Sequence, residues 1–151
     1  MQHAPYSRFL ATIAVSMLVM FVLMYLNTWA WDHVWFSQTR LWMTLIMGAG
    51  MVWVMLLAMR GMYPDRRKNS LVLAGATLMF VAALALVRSQ ATVGDIAWMK
   101  AMIPHHSIAI LTSERARISD PRVRELADGI IETQRREIAE MEALIADLEA
   151  R

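Results

Sequence analysis

Cysteine is absent from this 151-residue chain, which excludes disulfides, thiolate metal ligands and a cysteine nucleophile, and leaves the redox compartment open. Charge is scarce too. Asp, Glu, Lys and Arg make up 19% of the residues, and none falls between Phe9 and Leu26, Leu41 and Met59, or Ser70 and Val87. What fills those stretches is apolar: hydrophobic residues are 58% of the chain and the mean hydropathy is positive, too greasy for a soluble domain. The net charge of +2 hides a split, since residues 1–88 carry seven Lys/Arg against two Asp/Glu and residues 89–151 carry eight against eleven. The basic residues sit at the edges of apolar runs or among acids, so no nucleic-acid partner is expected.

Each of the runs 9–26, 41–59 and 70–87 is long enough to cross a bilayer core about 30 Å thick, so residues 1–88 read as a membrane anchor of three transmembrane helices. A short polar lead, 1–8, precedes the first. That run exceeds the usual apolar core of a signal peptide, so a retained helix is expected rather than a cleaved leader. Trp29, Trp31, Trp35 and Phe36 surround Asp32 and His33 in the first loop as an interfacial aromatic belt. The second loop holds Arg60, Arg66, Arg67 and Lys68. Short basic loops stay in the cytoplasm, which places the amino terminus inside and the polar carboxyl-terminal segment outside, as in a bacterial-type plasma-membrane protein with a periplasmic domain. Met43, Met47, Met51, Met55 and Met59 recur every fourth residue, but no acid, His or Cys accompanies them, so they read as helix packing rather than a metal path.

After a linker, 89–94, residues 95–151 form a second domain. Asp95 is a candidate N-cap for a helix to about Ile118, and Asp120-Pro121 supplies a cap and a first-turn proline for another to about Ala150. The short turn between them demands an antiparallel helical hairpin. Facing residues then pair His106 with Gln134, Met102 with Glu137, and Met99 with Met141. Within the first of these helices, Met99-Lys100-Ala101-Met102-Ile103-Pro104-His105-His106 gathers two thioethers and two imidazoles in eight residues. At 100° per residue Met99, Met102 and His106 share a face, with His105 on its flank. Sulfur with imidazole suits copper, as Cu(I) or Cu(II), and is a poor set for Mg or Ca. Methionine is also a common core gap-filler, and Pro104 either kinks one helix or opens another. Gln134 or Glu137 would orient an imidazole from outside the ligand shell. His33 is an accessory candidate, although a lone loop histidine is more often simply solvated.

The Met-Ile-Pro-His-His stretch, continuing as Ser107-Ile108-Ala109-Ile110, with Asp120-Pro121-Arg122-Val123, Gln134, Glu137-Ile138 and Met141 downstream, resembles the ferritin-like family catalogued as domain of unknown function 305. The resemblance covers about residues 92–149. It implies an all-α metal-binding module with copper favoured and no established catalytic activity. This chain carries one helical hairpin, half of a ferritin-like four-helix bundle. The expected function is a membrane-anchored, extracytoplasmic copper-binding protein for buffering, delivery or tolerance, not an enzyme. Its expected ligands are Met99, Met102, His105, His106, Met141 and Glu137, with Gln134 behind them. A non-metal helical interaction module is the alternative. A di-iron enzyme would need Glu-x-x-His pairs, and none occurs. A hairpin of about 55 residues buries too little to stand alone, so a homodimer through residues 95–150 is expected.

Overall fold

A computed structural model describes residues 5–151; the first four residues of the polar lead lie outside it. Among the described residues the chain is all-helical, with no strand: α1 (Tyr6–Leu23), a 3₁₀ turn (Trp31–His33), α2 (Gln38–Ala58), α3 (Arg66–Ser89), α4 (Asp95–Arg115) and α5 (Pro121–Glu149). The helices α1, α2 and α3, of 18, 21 and 24 residues, are each long and apolar enough to cross a membrane. The chain divides into two compact units, one of residues 1–24 and 39–92, the other of 25–38 and 93–151.

In the first unit the core is built from Phe9 and Ile13 of α1, Val52 and Leu56 of α2, Ala76 of α3, and Tyr63. Gly48 marks the close approach of α1 to α2: a Cβ there would stand 2.3 Å from the Met17 sulfur. Charged groups are confined to the helix ends and the loops. Asp65 caps α3 by accepting the Lys68 N–H at 3.0 Å, and that bond holds its carboxyl below the ordinary carboxylate range. Tyr6 Oη donates to Asn69 Oδ1 at 2.7 Å, and Asn69 Nδ2 donates to the Tyr63 carbonyl at 2.8 Å. Arg40 donates to the Met24 carbonyl at the end of α1, at 2.6 Å. Gln90 ends α3 in the left-handed region at φ 52°, its N–H on the Leu86 carbonyl and its side-chain amide on that of Val87.

In the second unit α4 and α5 pack on one another in opposite directions. Partner numbers fall along α5 as they rise along α4: Lys100 pairs with Glu149, His106 with Glu137, and the Ser113 carbonyl with Arg124. Met99, Ile103 and Ile110 meet Ile138, Met141 and Ile145 in the core between them. Gly94 rather than Asp95 caps α4, and Asp95 opens its first turn, where a carboxylate still faces the positive end of the helix dipole. Pro104 lies buried within α4, which runs through it unbroken; of the two roles open to that proline, it does not start a new helix. α4 ends at Arg115, three residues short of Ile118, and Asp120 caps α5 on the Arg122 N–H at 2.9 Å with Pro121 in the first turn. The Arg122 guanidinium and that N–H hold the Asp120 carboxyl below its usual range, and Asp120 in turn raises Arg122.

Candidate metal centre

α4 and α5 meet at mid-length in one polar pair. His106 Nε2 lies 2.9 Å from Glu137 Oε2, and His106 Nδ1 lies 2.9 Å from the Met102 carbonyl one turn earlier in the same helix. Gln134 donates to the same Glu137 oxygen at 3.4 Å. His106 therefore reaches three residues further along α5 than a level pairing gives. Helical side chains lean toward the N-terminus of their own helix, so in antiparallel helices the tips that touch belong to residues displaced toward both C-termini.

A cavity of about 330 Å³ opens at this level, and Met99, His106, Glu137 and Met141 line it with Trp98, Glu140 and Leu144. Met99 and Met141 are buried and His106 is half-buried. Four of the eight residues singled out from the sequence thus share one cavity. The other four stand elsewhere. Met102 sends its side chain into the apolar core and offers the site only its carbonyl. His105 is exposed, its ring centroid 6.1 Å from that of His106. Gln134 stands behind Glu137. His33 is buried against another part of α4, its Nδ1 3.0 Å from Ser107 Oγ.

Ser107 was not legible as a site residue. It is fully buried and also accepts the Trp29 backbone N–H at 2.7 Å, so one hydroxyl fastens the Trp29–His33 segment to α4. Trp29 adds an indole bond to Glu114 at 2.7 Å, and Arg135, ion-paired with Glu114, stands 5.2 Å from the Trp29 ring centre. Asp32 lies 4.0 Å from His33 Nε2, too far for a hydrogen bond, and Ser107 is closed to solvent, so these three side chains form a latch and not a catalytic triad.

The donor set decides which ions fit. Among the described residues no three His, Cys, Asp or Glu side chains converge as a metal site. Two thioethers, one imidazole and two carboxylates, Glu137 and Glu140, line the cavity; sulfur with imidazole fits copper, and the carboxylates add harder oxygen donors. The Met102 carbonyl accepts only from Nδ1–H. The 2.9 Å contact between Nε2 and the Glu137 carboxylate oxygen is then a hydrogen bond through a shared proton.

The chain belongs to the family described as domain of unknown function DUF305, whose family model matches residues 59–149 and so reaches back through α3. An uncharacterized protein of Acanthamoeba polyphaga mimivirus is 43% identical over 61 residues, covering 39% of this chain and 40% of the relative. The chain thus spans less than half the length of that relative. No solved structure matches.

Proposed function

We propose that this is a membrane-anchored copper-binding protein that buffers, delivers or sequesters the ion outside the cytoplasm. The observation that carries the reading is the lining of one cavity by Met99, His106, Glu137 and Met141. His106 Nε2 and the two sulfurs would hold the ion, with Glu137 as a further ligand or an acceptor beside it and Gln134 steadying that carboxylate. The Nδ1–H bond to the Met102 carbonyl is the outer-shell contact that fixes the ring and its tautomer. His105 and Met102 would serve, if at all, after rearrangement or across an interface. Bound copper would supply reversible soft-ligand exchange, suited to storage and hand-over.

The anchor is the three apolar helices in a bacterial-type plasma membrane, with the basic segment from Arg60 to Lys68 cytoplasmic and the α4–α5 hairpin periplasmic. A reporter fused after Arg151 is expected to be active only outside the cytoplasm. We further propose a homodimer in which two hairpins complete a ferritin-like four-helix bundle. Val123, Leu126 and Leu144 of α5 are exposed, Leu126 by 65%, and a second copy would cover them. The test of the copper reading is a chelator-competition titration of the full-length protein in detergent. Sub-micromolar binding that needs His106 is expected, and its absence overturns the reading. One observation favours a non-metal interaction module instead: both His106 ring nitrogens already have partners within the chain. Stability and assembly indifferent to copper and chelator would favour that module.

A further inference from the structure

A second cavity, of about 440 Å³, lies wholly within the first unit, between α1 and α3. Leu10, Ala14 and Met17 form one wall and Leu71, Gly75 and Met79 the other, over a floor that includes Val52. Nothing of the protein fills it: a Cβ built on Gly75 meets no atom within 4 Å. Its apolar walls are open to the surroundings, with Leu10 and Leu71 exposed. The cavity stops one turn short of the helix starts, where the charge is concentrated. Arg67 and Lys68 precede Leu71 by four and three residues, on the groove face of α3. Lys68 leans across toward α1, its ammonium 5.6 Å from the Tyr6 ring centre and 3.4 Å from Asp65. No ion pair with Arg67 is present among the described residues. The N-termini of α1 and α3 both lie at this end, joined through Tyr6 and Asn69, and add their positive dipole ends.

An apolar slot with a cationic mouth is complementary to a molecule with one anionic and one aliphatic end. We propose that this groove holds an acyl chain of an anionic phospholipid, with the lipid phosphate on Arg67 and Lys68. The proposal rests on the membrane reading of α1–α3 above. It commits to lipid rather than a helix of a second copy, because a neighbouring apolar helix would leave Arg67, which has no ion pair among the described residues, uncompensated at the mouth, whereas a lipid phosphate would pair it and share Lys68 with Asp65.

The test is native mass spectrometry of the full-length protein in detergent, with phosphatidylglycerol or phosphatidylcholine of identical acyl chains. Selective retention of phosphatidylglycerol is expected, weakened about fivefold by each of Arg67→Ala and Lys68→Ala. Gly75→Leu, whose Cβ meets no atom of the protein within 4 Å, should abolish retention by occupying the slot while leaving helical content and both charges intact. Equal retention of the two lipids, or retention indifferent to Gly75→Leu, overturns the proposal. So does efficient disulfide dimerisation of Gly75→Cys in membranes without lipid retention, which would give the groove to a second copy. Alkaline carbonate extraction separates the two failures. A protein that stays in the membrane pellet but shows no lipid preference defeats this inference alone, whereas one that washes off defeats the membrane reading and this inference with it.

Discussion

The two units of this chain are both helical, yet they differ in how much apolar surface they leave outside. α1, α2 and α3 bury Phe9, Ile13 and Leu56 in a shared core but still expose many large aliphatic side chains, among them Val15, Leu18, Leu78 and Val81. α4 and α5 bury Ile103, Ile110, Ile138 and Ile145 along one seam, and α5 turns Glu and Arg outward. An outward apolar face is stable only in an apolar solvent, whereas a single buried seam is what water enforces. Polar side chains follow the same division. In the first unit charged side chains gather at helix ends, where backbone groups need partners; in the second, His106, Glu137 and Ser107 sit at mid-helix, and each is hydrogen-bonded, as burial of polar groups requires.

That contrast can be broken at named positions. The largest effect is expected from Ile110→Ala, which removes a fully buried side chain from the seam of α4 and α5. A loss of roughly 2–5 kcal/mol should appear as faster proteolysis within residues 95–149 and not within α1–α3. Ser107→Ala comes next. It strips the partner from the Trp29 N–H and from His33 Nδ1, and about 1–3 kcal/mol of local stability should go, read as faster amide exchange at Trp29 with α5 unaffected. In the first unit, Gly48→Ala should be close to neutral. The added methyl meets the mobile end of Met17, and the helix gains by losing a glycine, so thermal unfolding should barely move, whereas Gly48→Leu should lower it. The smallest effect is the acid response of the α5 cap. Asp120 titrates below its ordinary 3.8 in the folded chain, so its contribution is complete above that value and is lost as the pH falls through the lowered one. Fraying at Pro121–Arg124, followed by exchange, should therefore begin below about pH 4 and be absent in Asp120→Asn.

Much of the fold was legible because long charge-free runs leave few alternatives. All three apolar helices appear, shifted by a few residues: α1 begins at Tyr6 rather than Phe9, since Pro5 sets its start, and it ends three residues before Leu26. The cap and proline at Asp120-Pro121 gave the start of α5 directly. Four of the six expected ligands fall on one cavity, two of them because Met99 and His106 are seven residues apart, two full turns on one face. The remainder depended on facts that spacing does not carry. Met102 shares that face in projection, yet its side chain goes into the seam, and the pairing of His106 with Glu137 instead of Gln134 came from the lean of side chains. The attachment of His33 and Trp29 to Ser107 joins positions more than seventy residues apart, and no local pattern announces it.

The central claim is that the mid-helix pair of the second unit is a metal site and the latch beside it is not. Copper titration of the full-length protein in detergent, comparing His106→Ala with His33→Ala, tests this most directly. The account predicts one copper per chain, bound roughly a hundredfold more weakly in His106→Ala and with unchanged affinity in His33→Ala. Equal losses in the two variants, or none in His106→Ala, would contradict it.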